Sequence, residues 1–203
     1  MFQHQSSSTA SQQLRRTMML LLAPKLVSND YHSLKNRAIY WISVLTGSGK
    51  TAAFLIPILS KLMGKAKKLA APRPNPATYV PDRDNYVRAE PLVVVVCPSR
   101  ELATQIFDEA RRFCYRSMLR PCVVYGGGPL VEQLGQLAKG CDLLIGTPGR
   151  LCDMIRRPHA LTLKRLKYMV IDEADEMLDS SWEEELKQIM SGGGKYFNYF
   201  GLA

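Results

Sequence analysis

Thr46, Gly47, Ser48, Gly49, Lys50 and Thr51 are the residues of this chain whose types and spacing could grip a polyphosphate. Small residues around two glycines let several backbone N–H groups converge on one concave nest. A helix starting at the end of that turn adds the positive end of its dipole. Lys50 would reach the β- and γ-phosphates as a point charge, and the Thr51 hydroxyl would hold Mg²⁺. Cleaving the triphosphate needs two further groups, a second metal ligand and a base that positions water. Tyr168-Met169-Val170-Ile171-Asp172-Glu173-Ala174-Asp175 supplies both, as an apolar strand that ends in adjacent carboxylates. Asp172 is the expected Mg²⁺ partner, directly or through water, because Mg²⁺ keeps several waters and takes few carboxylates. Glu173 would orient or deprotonate the attacking water. The plainer alternative is that both acids merely open a solvated helix, since Glu176, Asp179 and Glu183 to Glu185 continue the acidity. A phosphate loop upstream and an apolar strand directly before the acids favour the catalytic reading.

Three other loops follow predicted strands: Pro98-Ser99-Arg100-Glu101-Leu102, Gly126-Gly127, and Thr147-Pro148-Gly149-Arg150. Each offers exposed backbone with a hydroxyl or an arginine, which suits hydrogen bonding to a sugar-phosphate backbone without reading bases. Singly, each is an ordinary turn with a cap. Three at one edge of a sheet suggest a groove for a single strand. Only Tyr115 and Tyr125 lie near as stacking rings, so no aromatic platform is indicated. Arg111, Arg112, Arg116 and Arg120 read as a solvated helix face, and His159 as a loop residue.

The elements that must position these groups alternate. Ala38 to Leu45 is an apolar run that reads as a strand, and Ala52, Phe54, Leu55, Ile58, Leu59 and Leu62 then follow a helical period. The stretch 64–91 carries five prolines and many charges, and it reads as a surface insert. Leu92 to Cys97, apolar throughout with four consecutive β-branched valines, reads as a strand buried on both faces. A helix capped by Ser99 should run to about Tyr115, with Leu102, Ile106, Ala110 and Phe113 on its inner face. Strands are expected over Cys122–Tyr125, Asp142–Ile145 and Tyr168–Ile171. Helices are expected over Leu130–Lys139 (closed by Gly140), Arg150–Arg157 and Glu183–Met190. This alternation predicts an α/β fold, a mostly parallel sheet with helices on both faces. No internal repeat is visible. The two phosphate-directed motifs, each after a strand, make it a P-loop NTPase domain.

The chain has 203 residues, 46% apolar and 22% charged, which is ordinary for a globular protein with a full core. With 27 Lys and Arg against 18 Asp and Glu, the net charge of +9 favours polyanionic partners. Cys97, Cys114, Cys122, Cys141 and Cys152 form no CxxC pair and read as reduced, buried small hydrophobes of an intracellular protein, cytoplasmic or nuclear. No apolar run approaches the ~20 residues that span a bilayer. Residues 1–37 are expected to be a disordered leader, with a mitochondrial transit segment as the weaker reading and a short helix near Leu14 to Leu22.

Taken together, these residues resemble the DEAD-box ATP-dependent RNA helicases over Leu45 to Met190. The matching elements, in the family's order, are residues 46–51 (TGSGKT), 98–102 (PSREL), 126–127 (GG), 147–151 (TPGRL) and 172–175 (DEAD). The resemblance implies a RecA-like fold over 38–203, ATP with Mg²⁺, and RNA held by its phosphates and 2′-hydroxyls. It implies ATP binding by Thr46, Gly47, Ser48, Gly49, Lys50 and Thr51, and metal and water handling by Asp172 and Glu173. Pro98, Arg100, Gly127, Thr147, Gly149 and Arg150 would touch or support RNA, and Asp175 would couple to a downstream Ser-Ala-Thr motif. Ser99 replaces the family's usual threonine and keeps its hydroxyl. Val44-Leu45 stand where the family's loop begins Ala-Gln, and nothing between Tyr31 and Val44 matches its adenine-recognising Pro-Thr-x-x-Gln element. Tyr196 to Phe200 reads as the strand before Ser-Ala-Thr, yet Gly201-Leu202-Ala203 follows instead.

The family's second RecA-like domain, with its arginine fingers, has no counterpart in this stretch, unless a second domain or protein partner supplies it in trans. Weak nucleotide and RNA binding and slow hydrolysis are therefore expected, because a missing arginine finger costs about 10³–10⁵ in rate. The rival reading is a non-catalytic RNA- or partner-binding remnant of a helicase. A third is a P-loop ATPase acting on something other than RNA.

Overall fold

The computed structural model describes residues 38–42, 49–65, 73–74, 87–179 and 182–191. The expectations for residues 1–37, for Thr46, Gly47 and Ser48, and for the strand at Tyr196 to Phe200 lie outside the described residues. Five strands, β1 (Ala38–Ile42), β2 (Val93–Val96), β3 (Pro121–Val124), β4 (Leu143–Gly146) and β5 (Tyr168–Asp172), form one sheet in the order β1-β5-β2-β4-β3. All four pairings are parallel, so every strand ends at the same edge. The helices are α1 (Lys50–Met63), α2 (Arg100–Phe113), α3 (Leu130–Ala138), α4 (Pro148–Ile155), α5 (Ala174–Asp179) and α6 (Glu183–Met190).

The run of four valines in β2 shows why the sheet is covered twice. Side chains alternate along a strand. Val93 and Val95 pack with Leu55 and Leu59 of α1 and Ile106 of α2. Val94 and Val96 pack with Leu137 of α3, Leu151 and Met154 of α4, and Leu186 and Ile189 of α6. Each fully buried side chain of this kind contributes roughly 1.5–3 kcal/mol. The fold is therefore the expected one, a RecA-like α/β domain with a parallel sheet between two helical layers.

Boundaries depart from expectation where polar or small residues belong to regular structure. β5 extends to Asp172 and β4 to Gly146, because pairing with β1 and with β2 and β3 continues past the apolar run. Helix α5, considered in the sequence only as a solvated acidic helix, buries Ala174 and Met177. On α2 the fully buried positions are Ala103, Ile106 and Ala110, with Leu102 and Phe113 only packed against that core. Arg120 lies off the helix, where its N–H donates to Asp142 Oδ2 at 2.8 Å.

The described parts of the 64–91 stretch are tied to the domain. Arg73 donates to Asp142 Oδ2 at 2.8 Å and also to the Met118 carbonyl. Ala89 is fully buried and bridges Leu161 in parallel. All five cysteines are buried and unbridged.

Candidate functional site

The strand-end edge carries the candidate groups in sheet order. At one side β1 lies against β5 with Ile42 opposite Asp172, so the end of β1 lies directly beside the acids. Gly49 caps α1 with φ 74° and ψ 23°, a left-handed conformation that glycine adopts without a Cβ penalty. Its carbonyl accepts the Ala53 N–H at 3.0 Å. Lys50 is the first helical residue, and Thr51, 9% exposed, sits in the same turn.

Asp172 is 1% exposed, and its Oδ1 accepts the Glu173 N–H at 3.1 Å. That burial removes the solvated-helix alternative for Asp172. Glu173 has φ 53°, a left-handed conformation that costs a non-glycine residue about 1–2 kcal/mol. On the neighbouring strand end, the Cys97 thiol is fully buried and donates toward the Gly146 carbonyl at 3.7 Å. Burial chiefly, and then the charges of Asp172 and Glu173, push its pKa far above the usual thiol range. Cys97 therefore stays neutral and adds no charge beneath the acids.

Among the described residues, no three His, Cys, Asp or Glu side chains gather as a metal cage. One buried carboxylate and one hydroxyl in the first helical turn remain as oxygen donors. Such a set fits a hard cation that draws its other ligands from water and phosphate, which is the habit of Mg²⁺.

Toward the other side of the edge, the three loops join through side chains. Ser99 Oγ accepts the Leu102 N–H at 3.2 Å, which caps α2 and leaves Arg100 exposed at its first position. The Arg100 guanidinium lies 4.8 Å from the centre of the Tyr125 ring. Gly126 N–H donates to Thr147 Oγ1 at 3.2 Å, and Arg150 Nη2 donates to the Gly128 carbonyl at 3.2 Å. Gly127 has φ 78°, again a glycine conformation. Gly149 follows Pro148 in the first turn of α4, near the Trp182 ring. Thus Pro98, Arg100, Gly127, Thr147, Gly149 and Arg150 fall at one edge, in the turns after β2, β3 and β4 and the first turns of α2 and α4, linked through Tyr125, Gly126 and Gly128. Asp175 is the second residue of α5, just beyond the acid pair.

Arg150 is 11% exposed, and its Nη1 is buried without a hydrogen-bond partner. Buried donors in that condition are rare and call for an acceptor. Sequence reasoning passed over Gln133, which is buried on α3 and bonds the Tyr125 backbone. The available signal was a polar residue on the stripe formed by Leu130, Leu134 and Leu137.

Comparison with known proteins places these features in a family. The family model described as DEAD/DEAH box helicase matches residues 12–195. Among solved structures, the yeast DEAD-box splicing factor Prp28 is similar, at 28% identity and a TM-score of 0.61. The match covers 89% of this chain and 36% of that one, so the chain spans little more than a third of that relative's length.

Proposed function

The chain belongs to the DEAD/DEAH box helicase family, and from that premise we propose that its strand-end edge binds ATP with Mg²⁺ beside the backbone of single-stranded RNA. The observation that supports the reading is the pairing of β1 with β5, in which Ile42, four residues before Thr46 in sequence, lies opposite Asp172. Gly49 turns the chain into α1, whose N-terminal N–H groups and dipole face the phosphates. Lys50 supplies a fixed positive charge. Thr51 and Asp172 would hold Mg²⁺, which would neutralise charge on the β- and γ-phosphates. Glu173 orients a water and takes its proton as the water oxygen bonds to the γ-phosphorus. The bond from that phosphorus to the β–γ bridging oxygen breaks, leaving ADP and phosphate.

Arg100, Arg150, Thr147 and the glycine backbone supply donors, and none of them is a base-reading pair. Tyr125 already carries Arg100 on its ring. Such a surface suits phosphates and 2′-hydroxyls, and the unmatched Arg150 Nη1 is a donor that a phosphate oxygen would satisfy. Both arginines engage the β3 loop, so neither is placed to act as an arginine finger on the nucleotide. Without the family's second RecA-like domain or a partner in trans to supply an arginine finger, turnover is expected to be slow.

Magnesium-dependent ATP hydrolysis should be compared between the chain and Lys50→Ala, with and without single-stranded RNA. The expected result is a low rate in the parent that Lys50→Ala abolishes. Equal rates would overturn the enzymatic reading and leave an RNA- or partner-binding module. ATP affinity unaltered by RNA would instead point to an ATPase acting on something else.

A further inference from the structure

Gln133 is 7% exposed, and its amide serves a single neighbour. Oε1 accepts the Tyr125 N–H at 3.1 Å, and Nε2 donates to the Tyr125 carbonyl at 3.1 Å. This is the two-bond exchange that a residue on an antiparallel partner strand would make. It falls just after β3 has ended at Val124. The loop folds closely over it, since a Cβ on Gly128 would lie 2.7 Å from Gln133 Nε2 and 2.7 Å from Tyr125 Cε2. An apolar side chain could fill this position without the desolvation cost of an amide. What the amide adds is a fixed Tyr125 backbone.

Three contacts depend on that backbone. The Tyr125 ring lies under the Arg100 guanidinium at 4.8 Å. The next N–H, of Gly126, donates to Thr147 Oγ1 at 3.2 Å. The Gly128 carbonyl takes Arg150 Nη2 at 3.2 Å. One residue thus sits where the loops after β2, β3 and β4 converge.

We infer that Gln133 is a positioning residue for nucleic-acid binding, holding Tyr125 so that Arg100, the Gly127–Gly128 backbone and Arg150 present one pre-arranged set of donors. It contacts no nucleic acid itself. The inference rests on the RNA-binding role proposed for this edge.

The test uses the full chain with Gln133→Leu, Gln133→Glu and Arg100→Ala. Affinity for a labelled oligouridylate is measured by anisotropy, and Mg·ATP affinity by calorimetry. Gln133→Leu is expected to weaken RNA binding about tenfold, the loss of two hydrogen bonds, with Mg·ATP affinity unchanged. In Gln133→Glu the ionised carboxylate accepts the Tyr125 N–H but cannot donate to the Tyr125 carbonyl. The protonated form can, and burial raises the pKa of a carboxyl. RNA affinity of this variant relative to the parent should therefore recover between neutral pH and about pH 5.5.

Unchanged RNA affinity in Gln133→Leu while Arg100→Ala weakens binding would overturn the inference alone. So would parallel loss of RNA and ATP affinity, or a flat pH profile in Gln133→Glu. Should Gln133→Leu not fold, the pH profile decides. If the parent binds no RNA, or Arg100→Ala binds as well as the parent, the RNA reading falls and takes this inference with it.

Discussion

Glu173 combines a strained backbone with the carboxylate next to the buried Asp172. Strain of this kind persists where the surrounding structure over-determines it, often at functional sites. Glu173→Gln should retain stability and lose ATP hydrolysis. Glu173→Gly should also lose hydrolysis yet keep or gain stability, by up to about 1 kcal/mol, as the left-handed penalty is relieved. Urea unfolding beside a turnover assay checks both, and a Glu173→Gly variant that unfolds far more easily would contradict the strain argument.

The buried thiols give a second test at the same scale. Burial raises Cys114 and Cys152 from 9.0 to about 11. A raised folded pKa means that the unfolded chain ionises first, so this stability is complete below about pH 9 and is lost as pH rises toward 11. The thermal midpoint should fall across that window, and less steeply in Cys114→Ala/Cys152→Ala. Lys50, Thr51, Asp172 and Glu173 stand out in the sequence as candidates because phosphate chemistry asks for these types in this order. The φ of Glu173 and the bonding of Gln133 do not, because a left-handed glutamate and a buried glutamine have no local signature.

The strands and helices were legible where burial is one-sided or total. Four valines in a row can only be a strand covered twice, and Ser99 before an amphipathic run is a helix start. Ends were harder, because pairing rather than apolarity defines them. Gly146 illustrates this: it closes β4 between β2 and β3, where a Cβ would meet Val124 O at 2.6 Å and Val124 Cγ2 at 2.7 Å. The Val124 carbonyl accepts the Thr147 N–H at 3.2 Å and is not free to retreat. Gly146→Ala should therefore destabilise the domain by about 1–3 kcal/mol. It should also weaken RNA binding, since Thr147 anchors Gly126. Denaturant unfolding of the variant checks the first effect and anisotropy the second.

At the scale of the molecule, strand order was what local patterns could not give. β1 and β5 are neighbours although most of the described domain lies between them in sequence. That long-range pairing sets the strand before one motif beside the strand that carries the other. The ties from Arg73 to Asp142 and from Ala89 to Leu161 were equally hidden, inside a stretch whose composition reads as loop.

The net charge of +9 predicts a salt-sensitive grip on RNA. For single strands the log–log slope should be about −0.7 for each phosphate neutralised, and Arg100→Ala should flatten it by about that amount. A slope unchanged by Arg100→Ala would place the phosphate contacts elsewhere.

We propose that the turn after β1 and the carboxylate ending β5 hold one magnesium nucleotide between them. Calorimetric titration of ATP into the chain and into Asp172→Asn, each with and without Mg²⁺, addresses it most directly. Mg²⁺ should tighten ATP binding in the parent and have little effect in Asp172→Asn. An equal Mg²⁺ effect in both proteins would contradict this proposal.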